Sequence, residues 1–407
     1  MVSFTDSAEA EALAERAHEL MEEVVLPKER EIKGGMAVSE STLEELRAAA
    51  REYGVYAPQI AEEYGGMGYD FRDALPTFEE AGRSLLGAQA MRIAAPDEGN
   101  MHLLELHGSE LQKEEYLKPL VAGDLSSGFS MTEPMQGGGS DPKMLKTTAE
   151  KDGDEWVIDG HKWWTTNGIG ADILLVFART DQESHPYEGC SVFIVPSDAD
   201  GVEIVRNIPH VGPEIDSHGH AEIKYNEVRV PEEHLLGEEG EGFTHVQERL
   251  GPARLTHCMR FSGMADRALE VAKAYTSDRE GFGGPIAEKQ GIRFEIAEAE
   301  TNLHAARTMV RHAADEISRG NQARVEVSMC KYFTANVTGE AINTALQCCG
   351  ASGLGKDLPI ADFYENVRQF RLVDGPDEVH KRVIARNAYD EVDMDELDVL
   401  PTFAGRD

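Results

Sequence analysis

The chain has 407 residues, enough for roughly two or three domains, and its hydrophobic share of 41% is ordinary for a globular protein. Its charge is unusual, because 39 basic side chains stand against 75 acidic ones and the net charge at pH 7 is −36. Such a field repels phosphate backbones and anionic membranes, which argues against nucleic-acid binding.

Several features of the composition indicate a cytoplasmic protein. The acidic residues are spread along the chain and Arg outnumbers Lys, which resembles cytoplasmic proteins of salt-loving organisms. The N-terminus MVSFTDSAEAEALAERA is acidic and amphipathic, unlike a signal peptide, and no apolar run is long enough to span a bilayer. The odd number of cysteines argues against a disulfide framework, and their spacing matches no metal site: Cys190, Cys258, Cys330, Cys348 and Cys349.

The first part of the chain, residues 1–124, is predicted to be a helical domain. Apolar residues recur at helical spacing from Ser7 onward, and Pro27 is predicted to end this helix. The run from Ser41 to Glu44 is a capping box that should open a second helix. Further helices are predicted over residues 70–86 and 109–121.

Residues 125–235 are predicted to form a compact β domain. Short β-rich runs alternate there with polar or Pro/Gly turns, at residues 174–178, 190–195, 202–205 and 221–225. The pairs Asp152-Gly153 and Asp159-Gly160 favour hairpin turns.

Residues 236–407 return to helical spacing and are predicted to form a helical bundle, with helices over 243–278, 285–319, 323–349, 359–370 and 376–392. A G-x-G-x-x-G fingerprint after a strand does not occur, which disfavours a nicotinamide-binding Rossmann domain. The predicted class is therefore α+β, with a helical domain, a small β-barrel or sheet domain and a C-terminal helical bundle.

The stretch from Phe129 to Gly168 contains the most informative residues. It places Thr132, Ser140, Trp164 and Thr166 near predicted strand ends. Hydroxyls and an indole in such positions suit a planar ligand that needs a stacking face and oriented hydrogen-bond donors. A surface hairpin with a Gly-rich loop, whose tryptophans cover the core, is the alternative.

This stretch resembles the flavin-wrapping segment of the acyl-CoA dehydrogenases, through Met131-Thr132-Glu133-Pro134, Gly139-Ser140-Asp141 and the run from Gly160 to Gly168. The resemblance extends over nearly the whole chain. AAPDEGNM and DGPDEVH resemble family members 10 and 11. The resemblance implies FAD as cofactor, an acyl-CoA substrate of lipid metabolism, an electron-transfer flavoprotein as electron acceptor, and a homotetramer built as a dimer of dimers.

The resemblance also assigns residues. Arg279, Phe282 and Gln290 match a segment that reaches the flavin across a subunit interface, although Arg279 could be a solvated residue at a helix end. The full cofactor set is Phe129, Met131, Thr132, Ser140, Trp164, Thr166, Arg279, Phe282, Gln290, Gln347, Gly350 and Glu378. Ser140, Arg254 and Gly375 are assigned to the substrate, with a helix-face ion pair as the alternative for Arg254. Asp97 and Glu98, in AAPDEGNM, belong either to a substrate channel or to a buried turn.

Asp374 stands where the family holds its catalytic base, and the family's other base position is occupied by Ala253, which cannot take a proton. The implied reaction forms a trans-2,3-enoyl-CoA, as Asp374 takes the α-proton and the β-hydride passes to flavin N5. Burial is expected to raise the pKa of Asp374. Asp374 could instead be a helix N-cap. Two alternatives for the whole protein are an acyl-CoA oxidase that uses oxygen and a non-catalytic, flavin-free helical scaffold.

The net charge of −36 leads to a prediction about salt. Because dissolved ions screen repulsion between surface charges, adding KCl to a low-salt sample should raise the melting temperature. The measurement is circular dichroism melting across a KCl series, with sucrose as an uncharged control. A melting temperature that does not rise with KCl would contradict the prediction.

Overall fold

The computed structural model describes residues 5–32, 38–212 and 219–392. Within them the chain is helical, then rich in strands, then helical again, as the sequence predicts. Residues 1–4 of the N-terminal segment lie outside this description. The domain boundaries after residues 124 and 235 stay predictions.

The first helical part begins with a helix whose sequence supplies both its cap and its buried face. Ser7 Oγ accepts the N–H of Ala10 at 3.0 Å, which satisfies a donor that the helix leaves free. Leu13, Ala17 and Leu20 are fully buried, as one face of an amphipathic helix should be. The helices of this part are α1 Ala8–Leu20, α2 Leu26–Glu31, α3 Glu40–Glu52, α4 Phe71–Gly82, α5 Gly87–Ala90, α6 Asp97–His107, α7 Glu110–Gln112 and α8 Lys118–Ala122.

Two predicted details of these helices are wrong. Pro27 does not end the first helix, because a π-helical turn, Met21–Val25, carries α1 into α2 and Pro27 lies in the first turn of α2. The helix predicted to open at Ser41 is α3, and it is capped by Ser39 rather than Ser41. Ser39 Oγ accepts a hydrogen bond from the N–H of Thr42 at 3.2 Å.

The central part is an eight-stranded sheet in the order β6-β7-β3-β2-β4-β5-β8, with β1 parallel to β4. Its two most hydrophobic strands, β4 and β5, are buried along almost their whole length. The strands are β1 Ser127–Ser130, β2 Thr148–Asp152, β3 Glu155–Thr166, β4 Ile173–Arg179, β5 Cys190–Pro196, β6 Val202–Asn207, β7 His220–Pro231 and β8 Leu235–Leu236.

One of the two predicted hairpin turns is confirmed. Strands β2 and β3 are joined after Asp152, where Gly153 has a φ of +66°. Asp159-Gly160 is not a turn, because β3 continues through it with a register shift between Ile158 and Gly160. A Cβ on Gly160 would lie 2.3 Å from Thr147 Oγ1, so this glycine permits close approach rather than reversal of the chain.

The C-terminal part is organised by one helix of 37 residues, α9. It packs against α4, α6, α10, α11 and α13 and so joins the two helical parts. A Cβ on Gly263 would lie 1.8 Å from the Glu79 carbonyl oxygen, which shows how closely α9 crosses α4. The elements are α9 Gly242–Asp278, β9 Glu280–Gly281, β10 Gly284–Pro285, α10 Gln290–Ser318, α11 Arg324–Cys349, α12 Ala351–Leu354, α13 Ile360–Val367 and α14 Asp377–Asp390.

Candidate active site

Asp374 lies in the turn between α13 and α14, in a backbone conformation that few residues adopt. Its φ is +54°, and that of Gly375 is +98°. The N-cap of α14 is Pro376, with no side-chain capping bond. Asp374 is therefore not the helix cap, and the alternative of a simple capping role is wrong.

Basic side chains from α9 and α11 hold the main chain of this turn. Arg254 Nε donates to the Asp374 carbonyl oxygen at 2.9 Å. Lys331 Nζ, which is fully buried, donates to the carbonyl oxygens of Phe370 and Gly375, the latter at 2.9 Å. Burial lowers the pKa of Lys331 to about 8, against the opposing effect of Asp374. These bonds keep Asp374 in its left-handed conformation.

The Asp374 carboxylate lies among groups that favour its ionised form. His257 Nδ1 is 3.3 Å from Oδ2, yet Oδ2 is buried and accepts no hydrogen bond from the described residues. Burial by itself raises the pKa of Asp374, but its neighbours outweigh burial and the pKa lies below its usual value; they are His257, Arg254, Arg249 and Lys331. The expectation of a raised pKa is therefore wrong, because the helices that bury the carboxyl also bring positive charge to it.

The structure separates the roles of Asp97 and Glu98. Asp97 binds Arg92 Nη1 at 2.8 Å and the N–H of Ser127 at 2.8 Å, so it joins the buried start of α6 to β1. Glu98 is 3% exposed and faces the Asp374 site, with Oε2 3.5 Å from Thr256 Oγ1. Burial raises the pKa of Glu98 despite the opposing charges of Arg260 and Arg249. A second carboxyl, held towards its neutral form, is thus buried where the charge of Asp374 acts on it.

Arg249 connects this cluster to the β domain. Its Nε donates to Asn100 Oδ1 at 3.0 Å, and its guanidinium carbon lies 4.0 Å from the centroid of the Phe129 ring on β1. A cation over an aromatic face is attracted by the ring quadrupole. This contact places Phe129, which the sequence assigns to the cofactor, against Arg249, one of the basic residues near Asp374.

A buried ion pair shapes the segment after β1. Lys162 Nζ, fully buried, lies 3.1 Å from Glu133 Oε1 and donates to the Met131 carbonyl oxygen at 2.8 Å. Burial lowers the pKa of Lys162 to about 8, partly offset by Glu133. Glu133 also accepts hydrogen bonds from the N–H groups of Gly138 and Thr147, so several donors stabilise its negative charge. The MTEP segment is therefore fixed from inside the protein.

Trp164 and Thr166 lie at the end of β3, next to this segment. The N–H of Trp163 donates to the Thr132 carbonyl oxygen at 2.9 Å. Trp164 has a φ of +57° at a register shift of β3, and the residue is 41% exposed. Thr166 Oγ1 lies 3.1 Å from His220 Nδ1. The surface hairpin whose tryptophans cover the core is disfavoured, because the bulge turns this indole outward.

The other assigned cofactor residues lie elsewhere. Arg279 caps the end of α9, Gln290 begins α10, and Phe282 is 96% exposed at the β9–β10 turn, with a φ of +53°. Gln347 and Gly350, at the end of α11, are also exposed. Hydrogen bonds and ion pairs of the described residues do not join this exposed set to β1 or β3.

Three residues that the sequence assigns to the cofactor or the substrate remain, and they make few contacts within one chain. Ser140 is exposed in the loop before β2, and Glu378 is exposed in the first turn of α14. The Gly375 carbonyl oxygen accepts a hydrogen bond from Lys331.

The described part of the chain holds no cluster of His, Cys, Asp or Glu suited to a metal ion. None of its helices is both long and apolar enough to cross a membrane.

The sequence did not identify His257, Lys331 or Arg249 as site residues. Two signals were present: Lys331 interrupts the apolar run of α11, and His257 lies one helical turn after Arg254 on α9. Neither shows which turn of the chain these groups would meet, because Asp374 lies more than a hundred residues further along the sequence than His257.

Comparison with known proteins places the chain among flavoenzymes. The N-terminal, middle and C-terminal domains of acyl-CoA dehydrogenases match residues 7–124, 128–228 and 240–389. FadE2 of Mycobacterium tuberculosis, named as a probable acyl-CoA dehydrogenase, is 40% identical over 349 residues, which cover 84% of each chain.

Two further proteins show how far the similarity extends. Acyl-CoA dehydrogenase family member 11 of Gallus gallus is 34% identical over 402 residues, which cover 94% of this chain but 51% of that protein. The chain therefore spans about half the length of that relative. The structure of butyryl-CoA dehydrogenase from Megasphaera elsdenii superposes with a TM-score of 0.84 at 27% identity, covering 95% of this chain and 100% of the other.

Proposed function

Because this chain belongs to the acyl-CoA dehydrogenase family, we propose that it is an FAD-dependent enzyme that forms a trans double bond between C2 and C3 of an acyl-CoA thioester. The observation that carries the proposal is the buried carboxylate of Asp374. Its pKa lies below the usual value and its Oδ2 accepts no hydrogen bond within the described segments. The ionised form is the one that can accept a proton, and an oxygen without a hydrogen bond leaves a lone pair open to receive it.

The residues of β1 and β3 fit a flavin. The outward indole of Trp164 offers a flat face, and Thr166 brings a hydroxyl beside it. The segment of Met131 and Thr132 is held rigid by Lys162 and Trp163, as a site for a large planar ligand requires. A flavin bound there would supply an acceptor, N5, for the hydride that leaves C3.

The chain itself handles the proton. The thioester acidifies the C2 proton only in part, so an ionised base must meet it where water is excluded. The C2–H bond breaks as an O–H bond forms on Asp374, and its electron pair forms the double bond as hydride leaves C3. Arg249, Arg254 and Lys331 stabilise the negative charge that passes from the carboxylate to the developing enolate.

The proposal also covers the oligomeric state, the electron acceptor, the cellular location and the role of Glu98. Arg279, Phe282, Gln290, Gln347 and Gly350 would hold the FAD diphosphate of a neighbouring subunit, because they are exposed and separate from β1 and β3. This arrangement requires an oligomer, and we infer a homotetramer. We also infer that electrons pass to an electron-transfer flavoprotein, that the enzyme works in the cytoplasm, and that Glu98 lines the acyl channel.

Replacing Asp374 tests the central assignment. Asp374→Asn should fold and stay yellow, yet reduce its flavin roughly 10²-fold or more slowly in stopped flow, since it lacks a positioned base. Asp374→Glu should keep partial activity, because its carboxylate reaches about 1.5 Å further. The substrates are butyryl-, octanoyl- and palmitoyl-CoA, and Asp390→Asn, an exposed carboxylate of α14, is the matched control. Near-normal flavin reduction by Asp374→Asn would overturn the base assignment.

Replacing Arg279 tests the subunit assignment. Arg279→Ala should lose FAD on dilution, with affinity weaker by roughly tenfold or more, because a charge-assisted bond to the diphosphate is removed. Its melting temperature should fall as FAD dissociates. Lys273→Ala, which removes an ion pair between α9 and Glu300 of α10, serves as control. Full FAD occupancy of Arg279→Ala at low free cofactor would exclude the cross-subunit role.

A further inference from the structure

Two nitrogens of the Arg260 guanidinium, on α9, are buried without a partner. Nη1 donates to the Ile93 carbonyl oxygen at 3.2 Å, but Nε and Nη2 make no hydrogen bond within the described part of the chain. Glu98 and Asp374 act on the charge of Arg260 through space and not through a hydrogen bond. Buried donors are nearly always satisfied, so two free donors on one guanidinium indicate a group that this chain does not supply.

Arg260 lies on the side of α9 that faces the candidate active site. Arg249, Thr256 and Arg260 follow one another at spacings of seven and four residues, which places them on one face of the helix. Thr256 Oγ1 is 3.5 Å from Glu98 Oε2 on α6, and the charges of Arg249 and Arg260 both act on Glu98. Arg260 therefore belongs to the same buried region as Glu98 and Asp374.

Positive charge exceeds negative charge in this region. Arg249, Arg254 and Arg260 stay protonated, although burial lowers the pKa of each. The ionised carboxylate among them is that of Asp374, whereas burial raises the pKa of Glu98 and favours its neutral form. Buried cations need anions beside them, so this region is suited to a second anion.

Other groups nearby do not remove the excess of positive charge. Asp97 and Asp377 are buried, but each is paired with an arginine of its own, Arg92 and Arg371, at 2.8 Å. Buried Lys331 adds to the positive charge, because its pKa of about 8 leaves it mostly protonated at neutral pH. The second anion must therefore come from a ligand.

We propose that Arg260 binds a carboxylate at the far end of the acyl chain, so that the substrates are coenzyme A monothioesters of dicarboxylic acids. The Nε–H and Nη2–H bonds of a guanidinium run parallel along one edge, which matches the two oxygens of a carboxylate. A hydroxyl would occupy one of these donors, and a methyl group neither. A carboxylate therefore fits both the free donors and the excess of charge.

This inference rests on the proposed function, because it names the substrate of the same site. The distant carboxylate is bound and takes no part in the bond changes. The proton of C2 still passes to Asp374, and the hydride of C3 still passes to the flavin. Arg260 is therefore a specificity-determining residue and has no step of its own in the chemistry.

The position of Arg260 on α9 limits the length of the acid. His257, whose Nδ1 is 3.3 Å from Asp374 Oδ2, precedes Arg260 by three residues, or about 4.5 Å along the helix axis. With C2 at Asp374 and some sideways offset, a carboxylate about four to six carbons beyond C2 would reach Arg260. The expected acids therefore have about six to eight carbons.

The alternative is that Arg260 only ties α9 to the segment before α6, through its bond to the Ile93 carbonyl oxygen. Such a role would affect stability. It would give no preference between a carboxylate and a methyl group at the end of an acyl chain.

The test measures anaerobic flavin bleaching by stopped flow in the FAD-loaded protein. Adipyl-, pimelyl- and suberyl-CoA are compared with hexanoyl-, heptanoyl- and octanoyl-CoA, so that each pair has equal carbon number and differs only at the chain end. In at least one pair the dicarboxylic thioester should have a second-order rate constant roughly tenfold or more above that of its counterpart, since it gains charge-assisted hydrogen bonds.

Variants assign this preference to Arg260. Arg260→Gln should bring the ratio of rate constants within a pair to about one or below, and Arg260→Lys, which keeps the charge but not the paired donors, should give an intermediate ratio. Arg386→Gln, at an exposed arginine of α14, is the matched control and should keep the wild-type ratio. Each ratio is measured on one protein, so a general loss of activity does not alter it.

A wild type without this preference in any pair would overturn the inference, as would a preference that persists in Arg260→Gln. If Arg260→Gln fails to fold, the wild-type comparison and Arg260→Lys decide. If no thioester of either series bleaches the flavin, the proposed function is wrong, and calorimetric binding decides on the carboxylate site. Tighter binding of adipyl-CoA than of hexanoyl-CoA would then support the site, and equal binding would overturn it.

Discussion

A carboxylate can remain ionised inside a protein only if other groups compensate for the water it has lost. Asp374 meets this condition through the helices that bury it, since Arg249, Arg254 and His257 come from α9 and Lys331 from α11. Two of these side chains, Arg254 and Lys331, also hold the turn in which Asp374 adopts a φ of +54°. Ionisation and position of the carboxylate therefore have a common origin, and the crossing of α9 with its neighbours supports both.

The local charge at this site is opposite to that of the whole molecule. The chain carries a net charge of −36, yet in its interior the basic side chains of Arg249, Arg254 and Lys331 act on the Asp374 carboxylate. A coenzyme A thioester is itself anionic, so the global field opposes its approach while the local field favours the enolate. Salt screens distant surface charges much more than buried neighbours. Salt should therefore ease substrate approach with little effect on the ionisation of Asp374.

The sequence was sufficient for the order of helices and strands, because apolar spacing and turn pairs are local signals. Its errors occur where a contact or a bonding pattern that the local rules do not describe decides the structure. Gly160 was read as a turn, but it makes room for Thr147. Pro27 was read as a stop, but a π turn carries the helix through it. The shift in the pKa of Asp374 was predicted in the wrong direction. The sequence pattern indicates that Asp374 is buried, but it does not show that basic residues between positions 249 and 331 converge on it.

The central claim is that the Asp374 carboxylate meets the C2 proton of the substrate, and a bound complex tests it most directly. The measurement is a crystal structure of the FAD-loaded protein with a 3-thia-acyl-CoA, in which sulfur replaces C3 so that no hydride can leave. The account predicts an Asp374 carboxylate oxygen about 3–3.5 Å from C2, as a reacting pair requires. A complex in which Asp374 points away from C2, with Glu98 nearer to it, would contradict the account.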